Sequence, residues 1–161
     1  MCTKRPTVDV NCDLDIDPFA LKTPPVHHPD LTRIEARVRE GGHAWTAPRR
    51  AIARYLCSTT SHPTANEVLA AVSGDDPSSS RATVYNTLSL LEQLGLVRVV
   101  RMTPGEVRYD ANVGPHHHLV CVQCGGVEDV DAADVQVLLC GQAARAEVRF
   151  DGVCARCALA P

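Results

Sequence analysis

From Asp30 onward, apolar residues recur at intervals of three and four, and each run ends at a helix-stop signal. Asp30 is placed to cap LTRIEARVRE, which stops at Gly41-Gly42. A second helix is predicted from about Thr46, with Pro48 in its first turn and Ile52, Tyr55 and Leu56 apolar. In HPTANEV, Thr64 and Glu67 form the T-x-x-E capping box ahead of Val68, Leu69 and Val72. After the polar loop SGDDPSSS comes the longest helix, predicted from about Ser80 to Leu94 and ended by Gly95. On it Val84, Leu88 and Leu91 line one stripe, while Ala82, Tyr85, Asn86 and Ser89 turn the other way.

The period then changes from helical to alternating. LVRVVRM and EVRYD flank TPGE, a hairpin with a Pro-Gly turn, and helices followed by such a hairpin are the order of a winged helix-turn-helix. The outward face of the last helix carries small and hydrogen-bonding residues with Arg81 in its first turn, which suits insertion into a DNA major groove. Taken alone, that face also fits a plain amphipathic surface helix. Arg81, Thr83, Tyr85 and Asn86 are the candidate groove residues, and Arg49 and Arg50 the candidate phosphate contacts. Beyond Asn112, HHHLVCV, GGVEDVD and AEVRFDGV read as three short strands, with a brief helix near residues 132–142. The expected fold is therefore α+β: a winged-helix domain over residues 30–111 and a small α/β domain over 112–161. Residues 1–29, with four Asp and five Pro, are expected to be a flexible extension in which Cys2, Cys12, His27 and His28 are incidental.

Composition changes this picture in two places. No stretch of the 161 residues approaches the roughly 20 apolar residues of a membrane span, so no membrane partner is expected. The opening MCTKRPTVDVNCD lacks the apolar core of an export signal, which predicts a cytoplasmic, reducing setting. In that setting the eight cysteines read as metal ligands plus spare thiols rather than as a disulfide framework. The net charge of −3 argues weakly against a nucleic-acid partner, but it is unevenly spread. Residues 30–109 carry ten Arg against eight acids, and residues 110–161 carry three Arg against seven. The first half tolerates phosphates and the second gathers carboxylates where a cation can sit.

The chemistry concentrates in the second half. Cys121-x-x-Cys124 and, thirty residues on, Cys154-x-x-Cys157 supply four soft thiolates in two knuckles, the donor set of a tetrahedral, structural Zn²⁺. If residues 116–121 form a strand, His116 and His118 share the face opposite Cys121 and are free for a second metal. His117 then falls on the thiolate face, as a solvent-exposed residue or a donor behind the ligands. Further ligands for a second site are Asp110 at the end of the wing hairpin, Asp129 and Asp131 on one face of the next strand, and His62, which is otherwise a local capping residue before Pro63. Histidines with two aspartates form a hard-to-borderline site that fits Fe²⁺, Mn²⁺ or Zn²⁺, and ligands from both domains make the metal a clamp on their orientation.

HPTANEV, SSSRATVYNTLSLLEQLGLV, RYD, HHHLVCVQCG and GVCARC resemble the Fur (ferric uptake regulator) family of metal-dependent repressors from about Asp30 to Cys157. The resemblance implies a homodimer on a palindromic DNA operator, each subunit with a winged-helix domain and a dimerisation domain. It implies structural Zn²⁺ on Cys121, Cys124, Cys154 and Cys157, and a regulatory site for Fe²⁺ or Mn²⁺ on His62, Asp110, His116, His118 and Asp129. Tyr85 matches the tyrosine that the family presents to bases. With Asp at both carboxylate positions and TVYN in the recognition helix, the chain most resembles the peroxide-sensing PerR subfamily, in which a coordinating histidine, here His116 or His62, is oxidised. An iron-responsive Fur is the alternative, and a zinc, manganese or nickel sensor is a more distant one. The segment between Cys124 and Cys154 is shorter than in most relatives, and the last strand lacks the histidine of a third metal site. A zinc enzyme is the rival from another class, but the thiolate set is closed to water and neither HExxH nor HxE…PCxxC occurs.

Overall fold

The computed structural model describes residues 30–74, 79–101, 105–135 and 148–159. The expected N-terminal extension lies outside these residues. Four helices come first: α1 (Leu31–Glu40), α2 (Ala47–Ser58), α3 (Ala65–Ser73) and α4 (Arg81–Gln93). Their starts are the ones that the sequence signals. The Asp30 carboxylate accepts the Thr32 N–H, Thr64 and Glu67 complete the reciprocal capping box, and the Ser80 hydroxyl accepts from Thr83.

The helices pack through the stripes read from the sequence. Ile34 and Val38 of α1, Ile52 and Leu56 of α2, Val68 and Val72 of α3, and Val84, Leu88 and Leu91 of α4 are all buried in one cluster. Each such side chain contributes about 1.5–3 kcal/mol relative to exposure, so the first domain has a core of its own. The hairpin follows as β1 (Arg98–Val100) and β2 (Arg108–Asp110), antiparallel with Val99 opposite Tyr109. Gly105 takes φ +82° at the turn, and Met102, Thr103 and Pro104 lie outside the described residues.

The second domain is a three-stranded sheet in the order β4-β3-β5, made of β3 (His116–Cys121), β4 (Val127–Asp131) and β5 (Arg149–Gly152). β4 runs antiparallel to β3, whereas β5 runs parallel to it. The helix expected near residues 132–142 begins only as a 3-10 turn, Ala132–Asp134, capped by the Asp131 side chain. Residues 136–142 of that expectation lie outside the described residues. A short helix, α5 (Ala155–Ala158), closes the described chain and carries Cys157. Among the described residues, the buried apolar cluster on this side comprises Val100, Val120 and Val127, and Val100 comes from the wing. That is too small a core to hold a sheet by itself. No helix among the described residues is long and apolar enough to cross a membrane.

Candidate metal centres and nucleic-acid face

Two ligand clusters flank β3. In the first, Cys121 at the end of β3, Cys124 in the following turn, Cys154 and Cys157 offer sulfurs that all lie within 4.8 Å of one another. The Cys124 and Cys154 sulfurs are 3.8 Å apart. Four sulfurs at about 2.3 Å from one tetrahedral ion would be separated by about 3.8 Å, so the cluster has the dimensions of a zinc site. Backbone N–H groups aim at it. The Cys154 N–H donates to the Cys121 sulfur at 3.4 Å and the Arg156 guanidinium to Cys124 at 3.5 Å. Backbone donors, first that of Cys154 and then that of Cys124, lower the Cys121 thiol to about 6. Cys157, hydrogen-bonded by the Cys154 and Cys124 sulfurs, is raised to about 12, so four thiolates together require a dication.

The second cluster sits where the wing meets the second sheet. His62, Asp110, His116 and His118 are all buried, with one ligand atom each inside a common 4.8 Å span. His116 Nε2 is 3.0 Å from His118 Nε2 and 3.1 Å from Asp110 Oδ2. Asp129 closes the group, with Oδ1 at 2.8 Å from His62 Nε2 and 3.8 Å from His116 Nε2. Donor atoms about 2.1 Å from a shared ion stand about 3.0 Å apart at right angles and about 4.2 Å when opposite. The separations of 3.0, 3.1 and 3.8 Å fall in that range, and the 2.8 Å contact lies just below it.

Hydrogen bonding makes the same point. His62 Nε2, Asp110 Oδ2 and Asp129 Oδ1 are buried and lack an aligned hydrogen-bond partner, although Asp129 Oδ1 lies 2.8 Å from His62 Nε2 and Asp110 Oδ2 lies 3.1 Å from His116 Nε2. Buried polar atoms are rarely left so unless something binds them. The His116 Nδ1–H donates to the Gly114 carbonyl at 3.0 Å, which leaves the Nε2 lone pair facing the cluster. Burial, reinforced by His62 and His116 nearby, pushes His118 down to about 4, so this imidazole is neutral and ready to coordinate near pH 7. Burial works against ionised Asp129, yet His62 and the Asn112 amide hold it at about 2. Burial also opposes a charged His116, but Asp110 and Asp129 prevail and raise it. Three imidazoles and two carboxylates, with orphaned atoms turned inward, fit Fe²⁺ or Mn²⁺.

The chain reaches this geometry through an unusual backbone at His62, which takes φ +50°. A non-glycine residue in that region is strained, by about 1–2 kcal/mol. Strand β2 holds it there. The Tyr109 N–H donates to the Pro63 carbonyl at 2.9 Å, and the Arg108 guanidinium to the His62 carbonyl at 3.0 Å. Arg108 also ion-pairs with Glu106 and with Glu67 of the α3 capping box. His62 is therefore a buried member of the cluster, while Thr64 does the capping.

Placement of the other candidates is mixed. Asp131 caps the 3-10 turn. His117 is buried and its Nδ1 accepts the Val148 N–H at 3.2 Å, which corrects the solvent-exposed reading: the residue before β5 covers it. On α4, Tyr85 and Asn86 are exposed, and Arg81 is exposed with its guanidinium on the Asn66 side chain at 2.8 Å. The Thr83 hydroxyl is engaged with Ser80 at the helix cap. A cleft of about 270 Å³ lies between Tyr85 and wing residues 105–107, so helix and wing present one broad face. Arg50 is exposed, whereas half-buried Arg49 donates to the Ala44 carbonyl. Cys57, half-buried, is raised to about 11 by burial and by Asp30, which makes it a poor nucleophile.

Sequence reasoning missed Asn112 and Arg108. Arg108 was visible only as a strand residue. Asn112, at the junction of the two domains, joins Asp110 to Asp129 by hydrogen bonds.

Residues 40–151 match the model of the Ferric uptake regulator family. The chain is 40% identical over 100 residues to the peroxide-responsive repressor PerR of Staphylococcus aureus (strain USA300), a match covering 62% of this chain and 68% of that protein. It is similar in fold to the ferric uptake regulator Fur of Helicobacter pylori, with a TM-score of 0.64 at 18% identity over 83% of this chain and 97% of that one. The ferric uptake regulator from Pseudomonas aeruginosa with manganese gives a TM-score of 0.58 at 25% identity, covering 75% of this chain and 97% of that one.

Proposed function

The chain belongs to the ferric uptake regulator family, and from that premise we propose that it is a metal-dependent DNA-binding repressor that releases DNA on exposure to peroxide. The observation that carries the reading is the inter-domain cluster: three imidazoles and two carboxylates, drawn from both domains, in which His62 Nε2, Asp110 Oδ2 and Asp129 Oδ1 are buried without aligned partners. Residues 30–111 bind DNA and residues 112–161 dimerise. Zn²⁺ on Cys121, Cys124, Cys154 and Cys157 stabilises the fold, and Fe²⁺ or Mn²⁺ on His62, Asp110, His116, His118 and Asp129 sets the relative orientation of the domains. Val122, Phe150, Val153 and Leu159, apolar and exposed, support an interface between two copies through the second domain. A two-fold dimer then reads a palindromic operator.

The protein's part in sensing is positional. His62 arrives from the winged-helix side and is tied through Arg108 to Glu67 of α3, so loss of a ligand on either side loosens the helix-wing unit from the second sheet. His62, Asp110, His116, His118 and Asp129 would hold Fe²⁺, which would lend an electron to the O–O bond of hydrogen peroxide and regain it from the ring being oxidised; in sum, one oxygen would replace hydrogen on an imidazole carbon of His116 or His62 and the other would leave with that hydrogen as water. An oxidised imidazole is a poorer ligand, and the clamp opens.

The experiment begins with a duplex selected from a randomised library by Mn²⁺-loaded protein. Binding to it is expected to require Mn²⁺ or Fe²⁺ and to disappear on chelation of that metal alone; metal-independent binding overturns the reading. Tyr85 is 46% exposed on the outer face of α4, which supports a role for it in reading base edges. Tyr85→Ala is therefore expected to weaken binding to the selected duplex by about 1–3 kcal/mol, the usual cost of one misread base pair, with little change on random DNA. Arg50→Ala should instead weaken both and flatten the salt dependence by about one unit of slope.

A further inference from the structure

Asn112 satisfies one oxygen of each carboxylate in the inter-domain cluster. Its backbone N–H donates to Asp110 Oδ1 at 2.7 Å, and its side-chain NH₂ donates to Asp129 Oδ2 at 2.8 Å. The amide orientation is determined by a third bond, since the Gly114 N–H donates to Asn112 Oδ1 at 3.2 Å and leaves the nitrogen toward Asp129. The oxygens that Asn112 does not touch, Asp110 Oδ2 and Asp129 Oδ1, are the two buried without an aligned partner. They also make the shortest carboxylate approaches to the imidazole nitrogens, at 3.1 Å from His116 and 2.8 Å from His62, whereas Asp110 Oδ1 stands 3.8 Å from His62. Asn112 itself is 6% exposed, and its carbonyl accepts from the Arg98 guanidinium at 3.0 Å, so it is held in place from behind.

A small cavity, with room for about one water-sized molecule at about 10 Å³, opens beside the same residues. His62, Asp110, Asn112 and Asp129 all line it. We propose that Asn112 is a positioning residue that restricts Asp110 and Asp129 to one metal-binding oxygen each and so keeps a coordination position open toward this cavity. The inference rests on the metal-dependent reading above and adds to it the reason a small oxidant reaches the metal. Three imidazoles and two single carboxylate oxygens make five donors. A carboxylate released from Asn112 can turn its second oxygen inward and take the sixth position.

The test uses full-length protein with the four cysteines loaded with Zn²⁺ and Co²⁺ titrated into the second site. Five-coordinate high-spin Co²⁺ absorbs more strongly in the visible than six-coordinate Co²⁺. Wild-type protein is expected to show the stronger spectrum, and Asn112→Ala to bind one Co²⁺ with bands several-fold weaker. In the Fe²⁺ form, Asn112→Ala should still bind the selected duplex while losing it to peroxide about tenfold more slowly. Equal spectra for the two proteins, or loss of Co²⁺ binding in Asn112→Ala alone, overturn the positioning role. Wild-type protein that takes up no Co²⁺ beyond its zinc overturns instead the functional reading, and this inference with it.

Discussion

Cys121→Ser is expected to unfold the second domain while leaving the helical domain intact. Cys121 is the last residue of the central strand, 1% exposed, with the Cys154 N–H on its sulfur. A serine oxygen is a poor replacement for a thiolate at a tetrahedral zinc. Structural zinc contributes about 10 kcal/mol or more of apparent folding free energy in small modules, and little else is available to this sheet. Its described apolar cluster is three valines, against the large four-helix cluster on the other side. The described route from β3 to the C-terminal knuckle is the parallel pairing with β5, a contact spanning four residue pairs. Circular dichroism and hydrogen exchange should therefore show the helices retained and the β3 amides exchanging freely. Strong chelation of wild-type protein should reproduce that pattern. A zinc-free Cys121→Ser protein with protected β3 amides would falsify the structural assignment.

His118→Ala is expected to leave the fold in place but uncouple DNA binding from metal. His118 is 1% exposed, its Nε2 is 3.0 Å from that of His116, and its ring meets both His62 and His116 edge-on. Loss of residues that merely support ligands costs 10–100-fold in metal affinity, so loss of this central ligand should cost more than about a hundredfold in Mn²⁺ affinity. Affinity for the selected duplex should fall to that of the metal-free protein, while zinc content stays unchanged. The pH dependence follows from the depressed His118. In the fold its value is about 4, below the ordinary value of 6.5, so the folded chain binds fewer protons than the unfolded one between those limits. Metal-free wild-type protein should therefore be insensitive to this group above about pH 6.5 and lose stability as pH falls from there toward 4. Removing the imidazole should shrink that acid-linked loss, which urea titrations at pH 7 and pH 5 measure.

Much of this was legible in the chain because its signals are local. Asp30, Thr64 with Glu67, and Ser80 cap the helices they precede, since a capping bond joins residues two or three apart. The two cysteine pairs and the alternation of His116 and His118 were likewise readable, because knuckle spacing and strand period are short-range facts. What could not be read depends on partners far along the chain. Alternation in AEVRFDGV predicts a strand but not that β5 lies parallel beside β3. His62 stands before a Pro-Thr cap, and only Arg108 and Tyr109, 46 residues on, turn its backbone into the left-handed region. His117 is buried by residues at the start of β5, so strand alternation alone could not place it. Asn112 takes its role from Asp129, seventeen residues away across a domain junction.

The central claim, that a metal held between the domains makes DNA binding sensitive to peroxide, is tested most directly by mass spectrometry on DNA-bound protein. Zinc-replete protein carrying Fe²⁺ is exposed to mild peroxide, separated into released and bound fractions, and digested. The released fraction should carry one added oxygen on a peptide containing His62 or His116, and the Mn²⁺ form should remain bound and unmodified. Oxidation confined to Cys121, Cys124, Cys154 or Cys157, or binding that tracks free Fe²⁺ with no oxidation at all, would contradict the account, the second result in favour of an iron-responsive repressor.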